Sequence, residues 1–373
     1  MSLNHYCTYF DSGFLLQGLA LWQSLRAHDN GAVLWVLTLD EVAFDTLRAL
    51  RDPSLRIVSL SKVEGDEPLL APAKKERTRA EYYFTLSPIW PLWILQNFTD
   101  VQRITYIDAD LFWFSDPSIL FELMDESKAS LMVTEHRFPV WQRHLERHGR
   151  YNVGVLSFRN DDIGRACLKY WREQCLAWCF DRIEDGRYAD QGYLNEWPER
   201  YGGKFYVAKH PGVNVAPWNW LSHRWSLQPI GGDVASGILV DGVPLICYHF
   251  ARFQAICGWW YWRSGQIEYG VMPRTLRNAV YGPYVKALVD AERLLRELNV
   301  FRARASRVRR PSRKRTQGVL QRAIFGGNWI RIAGRFYNLR LGLGRWSGFI
   351  LTNLRSIALR KKRRREQTSQ KRH

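Results

Sequence analysis

Asp108 and Asp110 are the side chains whose type and spacing point first to chemistry. They close the stretch RITYIDAD, residues 103–110, in which an apolar run ends in two carboxylates one residue apart. Leu111, Phe112, Trp113 and Phe114 follow at once. Like charges that close repel unless a cation or a proton sits between them. Hard oxygen ligands suit Mg2+ or Mn2+, which also take phosphate oxygens. The expected chemistry is neutralisation of a departing diphosphate by a bound divalent cation.

The elements that must position this pair are legible as a series. Residues 5–10 read as a first strand, and 11–28 as an amphipathic helix with Leu15, Leu19, Trp22 and Leu25 on one face and Asp11 or Ser12 as N-cap. Residues 32–40 are continuously apolar, as in a strand covered on both faces. A helix over 41–51 and a strand over 56–60 follow. Residues 62–76 read as a loop, and 78–98 as a helix that Pro88 and Pro91 break or kink. Strands alternating with helices specify an α/β sheet with crossover connections, whose ligands bind outside the carboxyl ends of strands. Further strands are expected over 129–135 and 152–160. A helix over 161–178 would be capped by Asp161 or Asp162. A short helix beginning near 190 would end at Pro198, and a strand from 203 would run into a Pro/Gly/Trp loop. A strand in 243–253 would carry His249 at its end, and 280–300 read as a helix.

Five stretches lie in order along residues 5–253: YCTYFDSGFLLQGLALWQSL, EYYFTLSPIWPLWIL, ITYIDADLFWFSDP, YNVGVLSFRND and DQGYLNEWP, with YHFARF as a weaker sixth. Together they resemble the GT-A-fold glycosyltransferases, nucleotide-diphospho-sugar transferases, and within them glycosyltransferase family 8 and its bacterial relatives. The fold class implied is α/β: a Rossmann-like, mostly parallel central sheet flanked by helices. The cofactors implied are Mn2+ or Mg2+ and a nucleotide-sugar donor, with a UDP-sugar the first expectation. The product would be a cell-surface glycan such as lipopolysaccharide, or another lipid-linked polysaccharide.

The resemblance also implies roles residue by residue. Thr8, Tyr9 and Asp11 would hold the base and ribose. Arg77 or Arg79, with Thr85, would reach the donor's phosphates or sugar. Asp108 would contact ribose and metal, and Asp110 would be the main metal ligand. Asn152 would bind the sugar hydroxyls while Gly154 admits the ring. Asp190 and Gln191 would lie beside the anomeric carbon, Asp190 as general base or acceptor ligand. A late His completes the metal site in these relatives; His249 fits, with His210 as its rival. Trp218, Asn219 and Trp220 would line the acceptor pocket. The chain departs from family 8 at Ala216-Pro217-Trp218, where that family carries a Lys toward the diphosphate. The stereochemical outcome and the donor stay open at this point.

Charge divides the chain. The formal net charge is +18, yet 22 of the 54 basic residues and one of the 36 acidic residues fall in 301–373. Residues 1–300, the expected catalytic domain, are therefore slightly acidic, and residues 301–373 form a strongly basic tail. Within the tail, 318–365 mix Trp, Phe, Ile and Leu with regularly spaced Arg. That pattern suits amphipathic helices on an anionic membrane surface; nucleic acid is not an expected partner. No basic leader or long apolar run stands near the N-terminus. A cytoplasmic protein, peripheral on the inner face of the membrane, is expected. The six Cys form no CxxC pair and read as buried thiols. Two other readings compete: a phosphatase of the haloacid dehalogenase type, which also ends a strand in Asp-x-Asp, and a basic-tailed nucleic-acid-binding protein with an inactive α/β body.

Overall fold

The computed structural model describes residues 3–229, 237–253 and 269–298 in full, and the backbone alone of 254–256, 260–262, 329–332 and 335–338. Its centre is a seven-stranded sheet. The strands are β1 (Asn4–Phe10), β2 (Ala32–Thr38), β3 (Leu55–Ser59), β4 (Arg103–Ile107), β6 (Leu131–Glu135), β7 (Tyr151–Arg159) and β8 (Phe205–Val207), with β5 (Leu111–Trp113) outside it. The spatial order is β3-β2-β1-β4-β7-β6-β8. The pairs β1–β2, β2–β3, β1–β4 and β6–β8 are parallel, whereas β7 runs antiparallel to both β4 and β6. Six strands therefore share one direction and β7 opposes them. This is the mostly parallel, helix-flanked α/β layout expected from the sequence. All seven residues of β2 are buried, as a doubly covered strand requires.

Helices cover both faces. On one lie α1 (Leu15–His28) and the long C-terminal helix α9 (Arg274–Glu297), which pack on each other. On the other lie α5 (Arg79–Asn97) and α7 (Asp162–Ala177), likewise packed together. Asp161 caps α7 by accepting from Gly164 N. Chain order turns at β1: β2 and β3 lie to one side, β4 to the other. Such a switch point opens a crevice at the strands' carboxyl ends.

Several local expectations give way. α5 continues through Pro88 and Pro91. A Thr78/Glu81 capping box starts it, and burial along its length, with Trp90 and Ile94 wholly covered, outweighs two lost backbone bonds. Residues 62–76 are not a loop: α3 (Leu60–Asp66) and α4 (Leu70–Glu76) bury Leu60, Val63, Leu70 and Ala73. Pro72 sits in the first turn of α4, where its missing N–H costs no helical bond. Pro198 likewise opens α8 (Trp197–Tyr201) rather than ending a helix. The strand expected over 243–253 is split into Val243–Pro244 and Cys247–His249.

The tail lies outside the described residues except for Trp329–Ile332 and Arg335–Asn338, which pair as antiparallel strands. Those eight residues correct the helical expectation. Cys257 also falls outside; the other five Cys are buried and free, as expected. Among the described residues no helix is long and apolar enough to cross a membrane.

Candidate active site

Asp108 and Asp110 stand at the carboxyl end of β4, at the switch point. The Asp108 N–H donates to the Gly154 carbonyl of β7 at 3.0 Å, so the turn after β4 is tied to the antiparallel strand. Beyond it, β5 pairs antiparallel with β12 (Cys247–His249), setting His249 opposite Leu111. Phe250 N–H bonds to the Asp110 carbonyl at 2.8 Å, and His249 N–H to that of Val215 at 2.7 Å. The imidazole is thereby delivered to the carboxylates. His249 Nε2 lies 3.0 Å from Asp110 Oδ1 and 3.5 Å from Asp108 Oδ2. One ligand atom from each residue falls within 4.8 Å of the others.

This donor set, two carboxylates and one imidazole, fits a hard to borderline divalent cation. Space fits as well. A Cβ at Gly154 would lie 2.6 Å from Asn152 Oδ1 and 2.8 Å from His249 Nδ1, so only glycine leaves room for the ring. The electrostatics are those of crowded acids. Burial pushes the Asp108 carboxyl up, against the pull of His249 and with Asp110 adding to the rise. Burial would lower the His249 imidazole, but Asp110 and Asp108 override it and raise it. A cation would take over the balancing role that the imidazole's proton plays here.

A cleft of about 290 Å³ opens beside the pair, lined among others by Tyr9, Asp11, Phe14, Arg79, Tyr83 and Asp108. Arg79 Nη2 donates to Asp11 Oδ2 at 2.6 Å, and its Nε to the Tyr83 hydroxyl at 2.6 Å. Asp11 also accepts from Gly13 N at 2.8 Å. The cleft thus offers aromatic faces, a carboxylate and a guanidinium within one wall. Thr8 is fully buried in β1 and does not line it. Arg77 and Thr85 also turn away from it: Arg77 donates to the Thr85 hydroxyl and to the Leu176 carbonyl.

On the other side of His249 a buried polar layer supports the site. Asn152 Oδ1 accepts from Gly154 N at 2.9 Å and from Asn214 Nδ2 at 2.9 Å. Its Nδ2 contacts His136 Nε2 at 3.2 Å and Gln191 Oε1 at 3.5 Å. His136 Nδ1 lies 3.2 Å from the Arg150 carbonyl. That oxygen only accepts, so Nδ1 carries the proton and Nε2 accepts from Asn152, which defines a neutral imidazole. Burial agrees: it depresses His136 to about 4. The Trp218 ring stands between the two histidines, 5.1 Å from His249 and 5.5 Å from His136 by ring centres. Asn219 is fully buried, donating to the His136 carbonyl at 3.0 Å, and Trp220 donates to that of Tyr269. His210 stays apart from the cluster and accepts from Gly212 N in its own turn.

Asp190 is buried, and this pushes its carboxyl up to about 7; the Ser87 hydroxyl opposes the rise and Asp108 adds to it. Ser87 also contacts the Tyr9 hydroxyl at 3.0 Å. Gln191 Nε2 donates to the His148 carbonyl at 2.8 Å. Sequence reasoning missed Ser87, His136 and Asn214. His136 offered a usable signal: like Asp108, it is a polar residue placed immediately after an apolar strand. A second cleft, about 350 Å³, opens at the end of β6 and includes Glu135, Arg137, Phe138 and Arg150 in its lining.

No family model matches the chain. Among solved structures it is similar to mouse xyloside xylosyltransferase 1 (TM-score 0.43, 17% identity, covering 67% of this chain and 98% of that one). It is also similar to the glycosyltransferase GlyE of Streptococcus pneumoniae TIGR4 (0.46, 14%, 80% and 64%) and the galactosyltransferase LgtC (0.46, 13%, 77% and 95%). In sequence it is similar to two Bacillus subtilis (strain 168) proteins. The uncharacterized protein YfnD is 29% identical over 295 residues, 76% of this chain and 88% of that one. The uncharacterized protein YfnF is 34% identical over 256 residues, 67% of this chain. As that match spans 82% of the length of YfnF, the chain belongs to the same protein family as YfnF.

Proposed function

We propose that the chain is a metal-dependent glycosyltransferase that moves a sugar, by this reading a hexose, from a nucleoside-diphosphate donor to a hydroxyl of a glycan or lipid-linked acceptor. One observation carries the reading: Asp108, Asp110 and His249 converge at the switch-point crevice, directly beside a cleft with aromatic and charged walls. Those three side chains would hold the divalent cation, Mn2+ or Mg2+, which when bound supplies charge neutralisation to the departing diphosphate. Tyr9 and Asp11 would receive the nucleoside, and Arg79 the phosphates. Asn152 and Gln191 lie together where the donor sugar would sit. Asp190 changes protonation near neutrality, where acid–base groups are effective. The β6-end cleft is the acceptor side of this reading. Residues 1–300 would form the catalytic unit, and the basic tail 301–373 would hold it to the inner face of the cytoplasmic membrane.

The test is a panel of nucleotide sugars, UDP-linked ones first, with Mn2+ or Mg2+, following release of nucleoside diphosphate. Release that stops with chelator and in Asp110→Asn supports the proposal. Failure of every donor to bind or be cleaved sinks it, and turnover of an aryl phosphate instead would favour the phosphatase reading.

A further inference from the structure

We infer that Val140–Arg150 is a docking surface for an anionic lipid bilayer, carried on the rim of the candidate active site. Val140 and Trp141 are 74% and 64% exposed, the two most exposed large apolar side chains among the described residues. They adjoin in sequence and open the 3-10 helix Val140–His148 that connects β6 to β7. An exposed indole next to an exposed aliphatic side chain is at home at the headgroup level of a bilayer.

Charge complements the apolar tip. Arg143, His144, Arg147 and Arg150 are exposed along the same segment, against the single acid Glu146. Arg150 pairs with Glu135, while Arg143 and Arg147 have no ion-pair partner among the described residues. This basic spot sits on a body that is otherwise slightly acidic. The segment is also firmly held. Phe138 stacks on His136 with ring centres 4.9 Å apart, the Gln191 amide donates to the His148 carbonyl, and Arg150 N donates to Asn195 Oδ1 at 2.9 Å. A rigid tip loses little conformational entropy on docking. Because β6 runs parallel to β4, the tip stands at the same end of the sheet as Asp108 and Asp110. The surface would therefore bring the crevice to a lipid-borne acceptor. Only that purpose rests on the transfer reading; the docking is measured without a donor.

The experiment uses the full chain, with Cys257→Ser so that the remaining native thiols are the buried ones. An environment-sensitive fluorophore is attached at Trp141→Cys, and in a control at Asn30→Cys, an exposed site at the opposite, amino end of β2. Vesicles of phosphatidylglycerol with phosphatidylcholine are compared with phosphatidylcholine alone. The expected result is a blue shift at 141 with the anionic vesicles only, and none at 30. Unlabelled Val140→Ala/Trp141→Ala should partition about tenfold more weakly or worse, while its donor cleavage in vesicle-free buffer stays unchanged. Two outcomes overturn the inference: the chain sediments with the vesicles while the probe at 141 remains in water, or the probe shifts with soluble oligosaccharide instead of lipid. A loss of donor cleavage in the unlabelled parent chain would count against the transfer reading, not this one.

Discussion

On the α5 side of Asp108 the wall is open and charged, with Arg79 and Asp11 lining an open cleft. In the layer directly behind His249, by contrast, the side chains are amides and a neutral imidazole, and they are sealed: His136, Asn152, Asn214 and Asn219 are each at most 7% exposed. The contrast separates two tasks. Groups meant to meet a ligand keep their charge and their water, since desolvating a charge in the free protein is costly. Groups meant to hold others still are neutral and bond to one another, which a low-dielectric setting rewards.

Substitutions can break or sharpen this division. The largest effect is expected at Asp110→Asn, which keeps shape but removes charge. Donor cleavage should fall by several kcal/mol, on the order of a thousandfold, in a diphosphate-release assay, with the thermal midpoint little lowered. Gly154→Ala joins the two sides, because its methyl would press on both Asn152 and His249. It should cost about 1–3 kcal/mol in denaturant unfolding and weaken Mn2+ binding by roughly 10–100-fold in titration calorimetry.

His136→Asn tests the sealed side. The native imidazole stays neutral down to about 4, whereas an unfolded one takes up a proton below about 6.5. Between those values the unfolded state binds more protons, so stability should fall as pH drops from 6.5 toward 4, by roughly 3 kcal/mol from this group. Denaturation curves across that range should show the slope in the parent and a flatter one in the variant. The smallest effect is expected on the open side. Arg79→Ala removes an exposed ion pair and should change stability by less than about 1 kcal/mol, yet raise the donor's KM while leaving kcat near that of the parent. A large stability loss there would mean that the open wall is structural and erase the contrast.

The same contrast governs what could be read from residues alone. The strand ending in Asp108 and Asp110 was legible because two acids after an apolar run violate the local pattern. The strands around it were legible through their apolar runs, as with β2. His249 needed the family resemblance to be picked out, and its choice over His210 needed the pairing of β5 with β12. Much of the supporting layer was silent: Asn214 and Ser87 work through partners as distant in the chain as Thr134, Asn152 and Asp190, no local periodicity encodes those contacts, and the place of His136 after an apolar strand did not reveal Asn152 as its partner. The unbroken α5 was hidden for a related reason, since propensity at Pro88 and Pro91 says nothing of the burial that carries the helix past them.

The lone reversed strand has a lasting consequence. Because β7 runs against its neighbours, it brings its beginning, Tyr151 to Gly154, to the crevice, and the loop leading into it runs along the rim. Exchanges at its exposed positions, such as Val140, Trp141, Arg143 and Arg147, can accumulate there without moving the glycine that makes way for His249. Lineages sharing this scaffold can thus diversify what they modify while inheriting the ion grip unchanged.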